Sequence, residues 1–228
     1  MFVAELFRSI QGEGLLTGTE SVFVRASGCN LRCWYCDTPY ASWQPEGSRM
    51  SVDQIAAEVE RLGSRHVVVT GGEPMLFEDL VPLTERLREL GHHITIETAG
   101  TRYLPVHCDL MSISPKLSNS RPRPPQNPDW TFHHERSRHV PEVVRRLVAG
   151  YVYQIKFVVD TPDDCDEVQQ YLDHMPEIDR SRVMLMPQGT DVASLRKKSL
   201  WLEPYCAAHG LLYCPRRQIE WFGLKRGT

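Results

Sequence analysis

His66–Thr70 reads HVVVT, an apolar run with no polar alternation. Such a run suits a strand covered on both faces, as in a parallel sheet flanked by helices. A helical pattern precedes it over Ser51–Gly63: Ser51 suits the N-cap, Val52, Ile55, Ala56, Val59 and Leu62 form one apolar face, and Gly63 suits the stop. Another follows over Phe77–Leu90. The alternation extends along the chain. Strands are expected at Ser21–Ala26, His93–Thr98, Asp109–Ile113, Gln154–Val159, Val183–Met186 and Leu211–Cys214, with helices over Pro162–His174 and Val192–His209. Repeated strand–helix units predict right-handed crossovers and a parallel sheet. A partial α/β barrel and a doubly wound open sheet both fit, and both place active sites at the carboxyl ends of the strands.

The 228 residues predict a single domain over 1–228. One segment breaks the rhythm. Leu117–His139 contains PRPPQNP and HHERSRH, so an irregular insertion is expected at about 117–142. It reads as a surface loop, or else as a lid or docking segment. A net charge of −3 argues against a broad nucleic-acid-binding surface. No apolar run approaches the roughly 20 residues of a membrane helix. The start, MFVAELFRSIQGEG, lacks the pattern of a signal peptide, so a cytoplasmic protein is expected.

Seven cysteines include three within eight residues, Cys29, Cys33 and Cys36 in a C-x3-C-x2-C spacing. The odd count and the clustering do not suit a disulfide scaffold. Short spacing on one loop lets three thiolates converge on one inorganic centre. Cubane iron–sulfur clusters normally take four cysteines, so three leave one iron open, as a catalytic cluster requires. A structural zinc site would need a second knuckle or histidines. Cys108, Cys165, Cys206 and Cys214 are scattered and supply none.

Polar residues recur after the strands. Gly71-Gly72-Glu73-Pro74 follows a strand directly, and its glycines would let backbone approach a charged ligand. Taken alone, it is only a turn. Glu97 and Thr98 end one strand, Ser114-Pro115-Lys116 the next, and Met186-Pro187-Gln188-Gly189 another. Solvated strand ends would look the same one at a time. Together they put polar groups at one pole of the sheet.

The cysteine motif after the first strand, with Tyr35 before the third cysteine, resembles the radical S-adenosylmethionine (SAM) superfamily. The resemblance implies a partial (β/α)6-type parallel barrel. It also implies a 4Fe-4S cluster on Cys29, Cys33 and Cys36, whose open iron binds SAM for cleavage to an adenosyl radical. SAM contacts are then expected from Tyr35, Cys36, Asp37, Gly72, Glu73, Glu97, Ser114, Pro115, Lys116, Met186, Pro187, Gln188 and Gly189. Ser9-Ile10-Gln11-Gly12-Glu13-Gly14, Arg25, Gly28 and Asp37-Thr38 narrow this further. From Glu5 to the C-terminal RRQIEWFG, the chain is similar to the 7-carboxy-7-deazaguanine synthase family.

That similarity implies ring contraction of 6-carboxy-5,6,7,8-tetrahydropterin with loss of ammonia. It further implies Mg2+ at Thr38, an electron donor such as flavodoxin, and a homodimer. Substrate contacts are expected from Ile10, Gln11, Gly12, Glu13, Arg25, Thr70 and Gln218. The chemistry is suitable. Gln11 both donates and accepts, Glu13 accepts from amino groups, and the Arg25 fork matches a carboxylate. Gln218 stands where many members carry histidine, so no charge change near neutral pH is available there. The chain continues to Thr228, so contacts of shorter members' terminal residues are not carried over. Glycyl-radical-activating enzymes share the cysteine spacing but should not need QGEG, and a non-catalytic iron–sulfur module would need neither GGEP nor the polar strand ends.

Overall fold

The structure is a computed structural model and describes residues 1–123 and 128–228. Its strands are β1 (Phe2–Ile10), β2 (Glu20–Ala26), β3 (Ser48–Arg49), β4 (His66–Gly71), β5 (His93–Thr98), β6 (Leu110–Ile113), β7 (Tyr153–Val159), β8 (Val183–Pro187) and β9 (Leu212–Tyr213). Its helices are α1 (Pro39–Ser42), α2 (Val52–Leu62), α3 (Leu80–Glu89), α4 (Pro128–Ser137), α5 (Pro141–Gly150), α6 (Pro162–Asp173), α7 (Val192–Ala208) and α8 (Arg217–Phe222). All these strands join one open sheet in the order β3-β1-β2-β4-β5-β6-β7-β8-β9. From β2 onward along that order every pairing is parallel. The expected mixed α/β architecture, with a mostly parallel and unclosed sheet, is therefore the observed one.

Strands β2 and β4–β8 are buried on both faces. In β7, Tyr153, Ile155, Phe157 and Val159 join the main apolar core. The alternate residues Gln154, Lys156 and Val158 point to the other face; Lys156 and Val158 line an interior cavity. Helix α2 forms as its sequence dictates. The Ser51 hydroxyl accepts from Gln54 N, the Gln54 side chain accepts from Ser51 N, and Gly63 closes the helix at φ 68°. Ile55, Ala56 and Val59 turn inward, and fully burying each of the larger two is worth about 1.5–3 kcal/mol.

The sequence reading did not anticipate β1, β3, α1, α4, α5 or α8, and two of these stand out. The first is β1, which runs antiparallel to β2 with Ile10 beside Glu20. Its residues are mostly half-buried and include Glu5 and Arg8, so it shows no clean apolar pattern. The second is α4, in a segment expected to lack regular structure. Pro128 at its first position has no N–H to waste there. Its polar residues are used rather than solvated. His134 is fully buried, its Nδ1 accepting from the Arg32 amide at 3.1 Å and its Nε2 lying 2.9 Å from the Ser120 hydroxyl. The prolines at 124 and 125 lie outside the described residues. Among those described, no helix is long and apolar enough to cross a membrane.

Candidate active site

The parallel strands end in loops at one pole. The turn after β1 leaves the sheet at the other pole, because β1 runs against β2. Between them lies a cavity of about 290 Å³, with the cysteine loop as its roof and the QGEG turn as its floor.

Backbone contacts build the roof. Gly28 N donates to Ala41 O at 2.8 Å, and Glu73 N donates to Gly28 O at 2.9 Å. A Cβ on Gly72 would collide with the carbonyl oxygens of Gly28 and Ala41, so only glycine lets these loops meet. Arg32 folds back to give Nη1 to the carbonyls of Cys29 and Leu31, each at 2.7 Å. Its guanidinium also stacks 3.8 Å over Trp130 of α4. The loop is thus pinned by its own backbone and by α4, whatever it binds.

Cys29, Cys33 and Cys36 all line this roof. Burial pushes the Cys29 and Cys33 thiols up to about 12, so without a metal both are neutral. A coordinating cation would deprotonate them. Among the described residues no three His, Cys, Asp or Glu side chains are gathered tightly enough to hold a single metal ion. Three soft donors spread around one cavity wall fit a larger iron–sulfur group better than a zinc ion. Thr38 precedes α1 at the N-cap position, yet its side chain makes no cap bond. Its hydroxyl lies 3.8 Å from Cys36 Sγ and lines the cavity.

The floor is a charged network. Glu13 receives Lys156 Nζ at 2.9 Å, Gln218 Nε2 at 2.5 Å and Arg216 Nε at 3.4 Å. Burial by itself would raise the Glu13 carboxyl, but Lys156 and Arg216 hold it at about 2. Glu97 accepts from Thr70 Oγ1 at 2.7 Å and from Gln11 Nε2 and Lys156 Nζ at 3.3 Å each. Gln11 Oε1 in turn accepts from Glu13 N at 3.1 Å. Arg216 also binds the Asp37 carboxylate, linking floor to roof. Arg25 gives Nε to Glu5 at 2.8 Å and borders the same cavity. Gln218 Oε1 is buried and accepts from no donor among the described residues.

Most of the expected site residues meet here: Ile10, Gln11, Gly12, Glu13, Arg25, Tyr35, Asp37, Thr38, Thr70, Gly72, Glu97, Ser114, Lys116, Met186, Gln188 and Gln218, with the cysteines. Glu73, Pro115, Pro187 and Gly189 do not line the cavity. The Glu73 side chain is fully buried and accepts from Thr98 Oγ1 at 2.8 Å, Ala99 N at 2.7 Å and Met75 N at 3.1 Å. It ties the GGEP turn to the end of β5. Gly189 instead offers its carbonyl to Arg216 Nη1 at 2.6 Å. Glu97 bonds within the floor rather than the roof.

The sequence reading missed Lys156, Arg216 and Thr228, which all border the cavity. Lys156 left a signal: with Gln154 it alternates against the apolar residues of YQIKFVV. Arg216 left none, since Arg217 beside it faces solvent and pairs with Glu220 at 2.6 Å. Thr228 returns to the site because Arg226 packs 3.3 Å over Tyr40 and pairs with Glu46 at 3.0 Å.

The Radical SAM superfamily profile matches residues 23–117. A 7-carboxy-7-deazaguanine synthase of Rhodopirellula baltica is 47% identical over 229 residues, covering 100% of this chain and 89% of that protein. The synthase of Halobacterium salinarum is 43% identical, covering 95% and 88%, and that of Pyrobaculum aerophilum 35%, covering 99% and 96%. The crystal structure of QueE from Escherichia coli superposes with a TM-score of 0.71 at 24% identity, covering 95% of this chain and 93% of that one, a likeness of fold. Matched along its whole length at this identity, the chain belongs to the 7-carboxy-7-deazaguanine synthase family of the radical SAM superfamily.

Proposed function

We propose that this protein converts 6-carboxy-5,6,7,8-tetrahydropterin to 7-carboxy-7-deazaguanine with release of ammonia, in a SAM-dependent radical reaction. The observation that carries the reading is one cavity with the cysteine triplet at its roof and a charged amide-and-carboxylate floor. When bound, a 4Fe-4S cluster on Cys29, Cys33 and Cys36 and SAM supply the one-electron chemistry.

The residues of the chain hold and orient. Gly72, with Ser114 and Lys116, borders the roof and suits the amino acid and ribose parts of SAM. Lys116 Nζ is held by the Ser114 carbonyl and hydroxyl, both at 2.7 Å, so its charge is fixed in place. Below, Glu13 is a carboxylate throughout the neutral range and accepts from the amino-pyrimidine edge of a pterin. Gln11, locked at both ends of its amide, presents no rotational choice to the ligand. The orphan Gln218 Oε1 supplies one more acceptor for a ring N–H. Glu5 orients the Arg25 fork for the substrate carboxylate. Thr38, with its hydroxyl free of capping duty, is our candidate magnesium ligand, substrate oxygens and water completing the shell. A homodimer, a cytoplasmic setting and a flavodoxin-like electron donor follow from family resemblance.

The test is anaerobic. Cluster-reconstituted, reduced protein with SAM and the carboxytetrahydropterin should yield the deazaguanine acid and ammonia, read by mass spectrometry. SAM cleavage without that product would point to another radical reaction and overturn the reading.

A further inference from the structure

Among the described residues, Lys156 is the lysine buried between two acids. Its side chain is 4% exposed, and it reaches Glu13 Oε2 at 2.9 Å and Glu97 Oε1 at 3.3 Å. These acids come from distant parts of the chain, the turn after β1 and the end of β5, and meet over the middle of β7. Two carboxylates sharing a buried site cannot both stay charged unless a cation compensates them.

The neighbours show which cation does so. Around Glu13 stand Lys156, Arg216 and Gln218, and Cys214 Sγ lies behind them on the Gly14 amide at 3.2 Å. Arg216 is the farther cation at 3.4 Å, and its two terminal nitrogens are committed to Gly189 O and Asp37. Around Glu97 stand Gln11, Thr70 and Lys156. The first two are neutral, so among the described residues Lys156 is the cation that pairs with Glu97. The ammonium is itself held in the charged state: burial opposes its charge, and Glu13 and Glu97 overcome that penalty.

We infer that Lys156 is a positioning residue of the pterin site, holding Glu13 and Glu97 as a pair of carboxylates so that Glu13 meets the substrate's amino-pyrimidine edge unprotonated. This rests on the pterin reading of the cavity. It touches the substrate through Glu13 and not directly. Without the ammonium, Glu13 stands beside a second acid with one cation fewer, and a protonated Glu13 would lose an acceptor where the ligand brings donors.

The experiment is anaerobic calorimetry of 6-carboxytetrahydropterin binding to cluster-loaded protein between pH 6 and pH 8. The wild type, K156M, K156R and the double variant K156M/E97Q are compared, and each profile is read relative to wild type. K156M should bind at least about ten-fold more weakly at pH 6 than at pH 8, one pH-linked proton being worth up to ten-fold per unit. K156R should keep the wild-type profile. The double variant leaves Glu13 with Arg216 alone and no competing acid, so its profile should flatten again whatever its absolute affinity. A purely structural lysine would not produce this rescue. A wild-type profile in K156M, or a pH-dependent loss that persists in the double variant, overturns the inference. Should K156M not fold, K156R and the double variant decide it: a steep profile in either sinks the idea. If the wild type binds no pterin at any pH, the pterin reading itself has failed, and this inference with it.

Discussion

Acid should loosen α4 from the cysteine loop, and His134 sets where on the pH scale this occurs. The ring is fully buried and accepts the Arg32 N–H on Nδ1, so Nε2 carries the proton and donates to Ser120. Burial, with Arg138 and Lys116 adding to it against Glu135, lowers the ring from 6.5 to about 4. In the unfolded chain it returns to about 6.5. Between those values the unfolded state binds a proton that the folded state refuses. The stabilisation is therefore complete above pH 6.5 and is lost as pH falls toward 4. Linkage between pH 7.5 and pH 5.0 amounts to about 2 kcal/mol for this one group. The assay is urea unfolding of the wild type and H134Q at both pH values. H134Q should be less stable at pH 7.5, by about 1–3 kcal/mol for a disrupted buried hydrogen-bond pair. Its further loss on going to pH 5.0 should be smaller than the wild type's by about 2 kcal/mol. His66 and His139 are also lowered by burial, and their effects cancel in that comparison. Equal acid losses in the two proteins would refute the argument.

Three further outcomes are expected. Arg25→Lys keeps charge but loses the planar fork, so pterin binding should weaken by about 1.5–3 kcal/mol while SAM binding holds; equal loss of both, measured by calorimetry, would indicate misfolding instead. Thr38→Ser should retain much of any magnesium stimulation and Thr38→Ala should weaken it, with iron content unchanged in both; stimulation surviving intact in the alanine variant would remove Thr38 from the metal. Single changes of Cys108, Cys165 and Cys206 to Ala should leave iron content near the wild-type value, because none borders the cavity; a cluster lost with Cys108 would contradict a three-cysteine site.

What the sequence alone determined is what is local or periodic. The α2 caps, the doubly buried β4 and the strand–helix alternation need only neighbouring residues, and all appear where the pattern places them. The cysteine triplet and the GGEP turn are legible because their chemistry is carried by spacing within a few residues. Only the tertiary structure decided what depends on residues far apart in the chain. Glu73, in a motif that reads as a ligand site, is drawn inward by donors at and just beyond the end of β5, which its carboxylate satisfies. His134 turns a polar, proline-flanked segment into an anchored helix because its partners lie 102 and 14 residues away. Lys156 is 143 residues from Glu13 and 59 from Glu97, and no pattern along one strand reveals that both acids converge on it. Burial makes such pairings strong by removing the water that would screen them, and burial is a property of the assembled fold.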